Sequence, residues 1–300
     1  MLRLDGVTKV FKTGTFGGGK PITAVSDVTF EIGSGEVVSL IGESGSGKTT
    51  VGRMILRLTA ATGGSITFDG QDVSTLDRRE LRTYYGRVQG VFQDPFSSYN
   101  PVFKVDRVFE MIRTNYLPRL GQAEWDKKRQ HALEDVGLEP ADVLGKYPHQ
   151  LSGGQLQRLL IARALLLEIE FLVADEIISM LDASTRVDVL NILGDLKARG
   201  LGILFVTHDL SLGNYISDRT VILRRGLIVE MGATEKVFGN PRNPYTKMLL
   251  SSVPRLRTKW DTGVDRAYDP GYRGEDHTVD SSEAPPLVEI ERDHFARVQL

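Results

Sequence analysis

Cysteine is absent from the 300 residues. That excludes disulfides, thiolate metal sites and any iron–sulfur cluster held by this chain, and it fits a cytosolic setting. A long apolar run is also missing. The longest apolar region, residues 159–174, is interrupted by Arg163, Glu168 and Glu170, whereas a bilayer span needs about 20 mostly apolar residues. Met1-Leu2-Arg3-Leu4-Asp5 lacks the apolar core of a signal peptide. Any work at a membrane is therefore expected to go through binding something embedded there. Nor does one sign of charge prevail: 37 Lys and Arg stand against 39 Asp and Glu, a formal net charge of −2. Such a balance gives no general attraction to nucleic acid. With 41% hydrophobic and 25% charged residues, the composition is that of an ordinary globular protein. The length suffices for a sizeable core and one or two domains.

What the chain does have is glycine concentrated around a lysine. Gly42-Glu43-Ser44-Gly45-Ser46-Gly47-Lys48-Thr49-Thr50 follows an apolar β-like run, Val37–Ile41, and opens a helix-like segment at 49–58. A loop wrapped around phosphates needs torsions and close approach that a Cβ would block. Its N–H groups face the anion, and the next helix adds partial positive charge. The run from Ser44, Gly45, Ser46 and Gly47 to Lys48, Thr49 and Thr50 is thus predicted to bind nucleotide phosphates. Lys48 is placed for the outer phosphates, and the Thr49 hydroxyl for Mg²⁺. The alternative, a flexible glycine turn, leaves the strand-before, helix-after context unexplained.

The rest of the chain frames this loop. Val28-Thr29-Phe30-Glu31-Ile32 alternates as a half-buried strand does. The glycine-rich residues 13–20 lack phosphate-loop spacing and are predicted to be a hairpin connection. Phe68-Asp69-Gly70 marks a turn, and residues 87–92 a strand. Over 95–150 the pattern turns helical, with Val105, Val108, Phe109 and Ile112 on one face and Pro118, Pro140 and Pro148 as punctuation. This predicts a helical insert in a parallel α/β core. Residues 171–174 and 203–207 are buried-strand runs. Between them Asp182 is predicted to cap a helix carrying Val187, Leu190, Leu193 and Leu196 on one stripe and ending at Gly200. Strand–helix–strand order implies a parallel crossover. A late hairpin is expected at 221–229, a charged linker at 255–283 and a final strand at 285–290.

Two further motifs carry chemistry. The apolar strand Phe171-Leu172-Val173-Ala174 delivers Asp175 and Glu176 at its C-terminal end, where α/β proteins place their sites. Asp175 suits Mg²⁺ held through water. Glu176 is placed to orient or deprotonate an attacking water, a role worth ~10²–10⁴-fold. Taken alone, the pair reads equally well as solvated acids. Leu151-Ser152-Gly153-Gly154-Gln155 precedes a helix with Leu159, Leu160 and Ala164 along one side. Ser152 is an N-cap candidate, and two glycines at a positive helix end also make an anion site.

In this order, the phosphate loop, the Leu-Ser-Gly-Gly-Gln run and the Asp-Glu strand resemble the ABC-type ATPases, over nearly the whole chain. The resemblance implies an α/β fold: a P-loop NTPase (RecA-like) core with an N-terminal antiparallel β subdomain, a helical subdomain insert and a C-terminal extension. Residues 1–254 would form the nucleotide-binding domain, with the helical subdomain near 95–155, and residues 255–300 the extension. ATP and Mg²⁺ are the implied ligands. Gln93 resembles the Q-loop glutamine, which touches Mg²⁺ and couples the site to a permease. Ser179, Met180, Leu181 and Asp182 resemble the D-loop, and His208 the switch histidine that contacts the γ-phosphate. Phe11 resembles the aromatic that stacks on adenine, worth ~1–3 kcal/mol; core packing is the alternative for it. Ser152, Gly153, Gly154 and Gln155 would cover ATP held by the loop of a second ATPase subunit. Where the family has Pro-Thr, this chain has Ile177-Ile178, which is expected to alter loop stiffness and not hydrolysis.

The insertion at 13–20, the stretch 93–101 and Asn240-Pro241-Arg242-Asn243-Pro244-Tyr245-Thr246 resemble the ATPases of oligopeptide/dipeptide importers. Some members of that branch carry cysteines in the C-terminal extension; here Pro286-Leu287 and His294 remain without any. The implied partners are transmembrane permease subunits and a second ABC ATPase chain, a heterodimer being favoured over a homodimer. An extracytoplasmic solute-binding protein is involved indirectly, and nucleic acid is not expected. The implied location is peripheral, on the cytoplasmic face of the cell membrane. Oligopeptides or dipeptides are the expected cargo, with oligosaccharide as a variant. The rival is a non-transport ATPase of a soluble enzyme complex, such as phosphonate-breakdown machinery.

Overall fold

The computed structural model describes residues 1–12, 21–252 and 284–298; the connection at 13–20 and the charged segment at 255–283 lie outside them. Strands β1 (Leu2–Phe11), β2 (Ile22–Ile32) and β3 (Val37–Ile41) lead into helix α1 (Lys48–Ile55). Then come β4 (Gly63–Phe68), β5 (Gln71–Asp72), α2 (Arg78–Arg87) and β6 (Val88–Val91). Helices α3 (Asp106–Tyr116), α4 (Gln122–Glu134), α5 (Pro140–Val143) and α6 (Gly153–Leu165) follow. The chain returns to strands with β7 (Phe171–Asp175), α7 (Ala183–Ala198), β8 (Gly202–Thr207), α8 (Leu210–Ile216), β9 (Arg219–Arg224) and β10 (Leu227–Ala233). It closes with α9 (Thr234–Gly239), α10 (Pro244–Ser251), β11 (Leu287–Glu291) and β12 (His294–Arg297).

Two sheets form. One is antiparallel, in the order β2-β1-β4-β5. Along β1, Leu2 and Leu4 are buried while Arg3 and Asp5 are exposed, the period-2 pattern of a strand with one face on a core. Leu2, Leu4, Phe30 and Phe68 share that core with Val38, Leu40, Val51 and Ile55 of β3 and α1. The larger sheet has the order β11-β12-β10-β9-β3-β8-β7-β6. From β9 to β6 its strands are parallel. Every residue of β3, β7 and β8 is buried, as strands covered on both faces require. Because these strands run the same way, the loops after β3, β7 and β8 emerge on one edge of the sheet, where α/β proteins build sites.

The helical insert packs as its pattern predicts. Val105 and Phe109 are buried, with Val108 and Ile112 against the same core. Trp125 of α4 is fully buried and donates Nε1–H to Glu110 at 3.0 Å. It belongs to one apolar cluster with Leu156, Leu159 and Leu160 of α6.

Two expectations need correction. Helix α1 stops at Ile55, short of 58, because Arg57 takes a left-handed turn (φ 53°) and donates to Leu76 O and Ser74 O. In α7, Asp182 caps the start and Gly200 (φ 98°) follows the end, but the buried stripe is Val189, Leu190, Leu193 and Leu196, and Val187 is exposed. At about 100° per residue, nine residues place Val187 half a turn away from Leu196.

The late hairpin is β9–β10, turned by Arg225 and Gly226, both at positive φ, as the two central residues of a type I′ turn require. The last predicted strand is β11; its partner β12 was not anticipated. Through β12 this hairpin extends the main sheet, pairing antiparallel with β10 at Gly232↔His294. A Cβ on Gly232 would meet Asp293 O at 2.4 Å, so glycine there permits the close approach. Among the described residues no helix is long and apolar enough to cross a membrane.

Candidate functional site

The loop after β3 is shaped by its glycines. A Cβ at Gly42 would stand 2.1 Å from Leu223 O, and one at Gly47 (φ 106°) 2.4 Å from Ala24 O. Gly45 also has positive φ, but a Cβ there would meet nothing within 4 Å. One side of the loop is thus pressed against the fold and the other is open. Gly226 N donates to Ser46 O at 2.9 Å, tying the loop to the β9–β10 turn.

Lys48, the first residue of α1, is buried and turns back to donate to Gly42 O at 2.8 Å and Glu43 O at 2.9 Å. Burial pushes its pKa below that of a free lysine, against the pull of Glu176, Asp175 and Glu43. Thr49 Oγ1 donates to Asp175 Oδ1 at 3.3 Å. The Asp175 carboxyl is pushed up chiefly by burial, in part offset by that hydrogen bond. Next to it Glu176 sits at φ 51°, a torsion non-glycine residues rarely hold. The turn is secured by Glu176 N donating to Val206 O, and by Ser179 N and Oγ both donating to Glu176 O. His208, after β8, brings Nδ1 to 3.5 Å from Glu176 Oε1. Ile177 and Ile178 are buried in the core beneath this turn.

These residues form one constellation: Lys48, Thr49, Asp175, Glu176 and His208, carried on three neighbouring strand ends. Gln93 is exposed just beyond the end of β6, the next strand in the sheet. Phe11 lies at the end of β1, 41% exposed, with Lys9 Nζ 5.0 Å from its ring centre. Its ring is therefore a surface group, outside the core that was its alternative place.

Ser152 and Gln155 form a separate group. Ser152 Oγ accepts from Gln155 N at 3.1 Å, and Gln155 Oε1 from Ser152 N at 3.0 Å, closing a reciprocal capping box on α6. Gly154 lies so close to α7 that a Cβ would meet Thr185 Cγ2 at 2.6 Å. Thr185 in turn donates through N and Oγ1 to Asp182. Hydrogen bonds from Ser184 and Thr185 hold the Asp182 carboxyl far below the usual range. The Ser-Gly-Gly turn and the D-loop-like segment Ser179, Leu181 and Asp182 are therefore packed as one unit.

The residues present fit a nucleotide and a magnesium ion. Ser46 Oγ is buried with no hydrogen-bond partner among the described residues, on a loop whose open side faces outward at Gly45. No group of three or more His, Cys, Asp or Glu capable of holding a metal occurs among the described residues. Mg²⁺ needs none: it binds through one or two carboxylates together with substrate phosphates and waters. The Thr49 hydroxyl and Asp175 carboxylate supply that partial set. A feature not read from the sequence is Tyr245, whose hydroxyl accepts from Glu43 N at 3.1 Å; only its place in an Asn-Pro-Tyr run marked it.

A family model described as ABC transporter matches residues 25–179, and one described as the oligopeptide/dipeptide transporter C-terminal region matches residues 229–275. An oligopeptide transport ATP-binding protein of Streptococcus pneumoniae is 43% identical over 284 residues, 93% of this chain and 89% of that one. A dipeptide transport ATP-binding protein of Lactococcus lactis is 45% identical over 258 residues, 85% of this chain and 81% of its own. A solved dimeric ATP-binding cassette, in a post-hydrolysis state with ADP and phosphate, superposes with a TM-score of 0.69. It is 30% identical and covers 78% of this chain and 99% of that one. The chain belongs to the ABC transporter family, as an ATP-binding protein of its oligopeptide/dipeptide branch.

Proposed function

We propose that this chain is the ATP-hydrolysing subunit of an importer for oligopeptides or dipeptides, working from the cytoplasmic face of the membrane. The observation that carries the reading is the meeting of Lys48, Thr49, Asp175, Glu176 and His208 at one sheet edge, beside a glycine cradle. Ser44 to Thr50 wrap the phosphates, and Phe11 offers its exposed ring to the adenine. Thr49, Asp175 and Gln93 hold Mg²⁺, which when bound offsets charge on the phosphates. Glu176 orients and polarises the water that attacks the γ-phosphate, with His208 close enough to share that task. Lys48 and His208 stabilise charge on the transferring phosphoryl group.

The signature residues Ser152, Gly153, Gly154 and Gln155, with Ser179, Leu181 and Asp182, close over ATP bound to a second ATPase subunit. A heterodimer suits the branch better than a homodimer. The dimeric state of the solved cassette supports the arrangement. Transmembrane permease subunits dock on the helical insert, where Phe96, Val102, Phe103 and Met111 are exposed, and Gln93 links that surface to the site. A solute-binding protein outside the membrane supplies the cargo.

The test is to purify the chain with its native partners and reconstitute the assembly in vesicles. Peptide-stimulated ATP hydrolysis with ATP-dependent peptide uptake is the expected result. Recovery in a soluble enzyme complex without permeases would replace the importer by the non-transport alternative.

A further inference from the structure

The Glu230 carboxylate, in the middle of β10, is wholly buried. It accepts from Arg242 N at 2.7 Å and Asn243 N at 2.9 Å, and His294 Nε2 of β12 lies 2.8 Å from it. His294 is wholly buried too, with Nδ1 3.2 Å from Glu291 Oε1. Asn243 carries the contacts onward: Oδ1 accepts from Tyr245 N at 2.9 Å, capping α10, and Nδ2 donates to Arg297 O at 2.6 Å. Tyr245, only 3% exposed, then accepts from Glu43 N. An unbroken series of polar contacts runs from the hairpin β11–β12 to the loop that carries Lys48.

Burying a carboxylate is unfavourable unless it is fully paired, and neither hydrolysis nor the backbone pairing of Glu230 with Ile222 and Ala296 uses its carboxylate. Backbone pairing already seats β12 on β10. What the polar series adds is a fixed position for one hydroxyl. Tyr245 holds the entrance of the loop at Glu43, while the β9–β10 turn holds Ser46 from the other end. The Arg224 guanidinium lies 4.8 Å from the Tyr245 ring centre, adding a contact from β9.

We propose that the hairpin β11–β12 braces the phosphate loop: His294, through Glu230 and Asn243, sets Tyr245 so that its hydroxyl fixes the Glu43 amide. Tyr245 and His294 are then positioning residues for nucleotide binding. The inference rests on the loop being the ATP site.

The test uses the full chain and the variants Tyr245→Phe, His294→Ala and His294→Gln, whose amide still donates to Glu230. Hydrogen exchange is followed in peptides covering 42–48 without nucleotide, and Mg-ATP affinity is measured alongside. Loss of one hydrogen bond should speed exchange at Glu43 and weaken Mg-ATP binding by roughly two- to tenfold each. Tyr245→Phe and His294→Ala should both do so, His294→Ala should add nothing in the Tyr245→Phe background, and His294→Gln should recover most of the loss. A purely structural role for His294 would speed exchange in β12 and α10 only; that result, or additive effects of the two substitutions, overturns the brace. If the wild-type chain failed to bind Mg-ATP, the assignment of the site would fall, while exchange at 42–48 would still judge the brace.

Discussion

A single methyl group added at Gly42 tests whether the loop is seated as described. The new Cβ would lie 2.1 Å from Leu223 O and 2.7 Å from Ser46 Oγ. Leu223 is backbone in β9, held between β3 and β10, so it has little freedom to retreat. Overpacking costs ~1–3 kcal/mol, and contact with backbone puts Gly42→Ala near the upper figure. At ~2–4 °C per kcal/mol for a chain of this size, the melting temperature should fall by roughly 6–12 °C. The part best able to move is the loop itself, so Mg-ATP affinity should fall as well. Gly70→Ala is the control: its Cβ would meet nothing within 4 Å, and only the positive φ of 81° is strained. That substitution should cost ~1–2 kcal/mol and leave nucleotide binding untouched. Thermal melts with and without Mg-ATP, and titration with a fluorescent ATP analogue, read both effects. A Gly42→Ala protein melting within about 2 °C of wild type and binding ATP normally would refute the reasoning.

Two other perturbations separate binding from folding. Phe11→Ala should change stability by less than ~0.5 kcal/mol, since the ring is largely outside the core, yet weaken ATP binding by ~1–3 kcal/mol; unchanged affinity in the same titration would remove Phe11 from the site. Arg87 pairs with Asp69 and Glu170, and its hydrogen bonds help hold both carboxyls below their usual values, Asp69 chiefly through the N-terminal amine and Glu170 chiefly through Arg87. Acids with lowered folded pKa values stabilise above their unfolded pKa of about 4, and that stabilisation is lost as pH falls through the folded values. Because the network is mostly exposed, Arg87→Ala should cost at most ~1 kcal/mol at pH 7. Urea titrations from pH 7 to pH 3 should show a shallower acid decline in the variant, and parallel declines would contradict the assignment.

The parts of this fold that were legible in the chain were those governed by local rules. Val37–Ile41 and the runs before Asp175 and His208 lie in strands because short apolar runs bounded by glycine or acids favour a buried parallel sheet. Ser152 and Asp182 cap helices because their side chains satisfy N–H groups at the starts of α6 and α7. The strand order was then enough to bring Lys48, Asp175, Glu176 and His208 to one edge. What escaped was set by tertiary geometry. The left-handed turn at Glu176 depends on Val206 and Ser179, and Arg57 ends α1 through contacts with residues 74 and 76. Val187 was misplaced because a three-residue spacing drifts around a 3.6-residue helix. The pairing of His294 with Glu230 spans 64 residues and has no local signal.

The most direct measurement of the central claim is ATP turnover and retention by Glu176→Gln in the assembled complex. If Glu176 polarises the attacking water, the variant should bind Mg-ATP with near wild-type affinity, lose ~10²–10⁴-fold in steady-state hydrolysis and accumulate as a closed, ATP-loaded pair of subunits. Hydrolysis at the wild-type rate, with no accumulation of that closed pair, would contradict it.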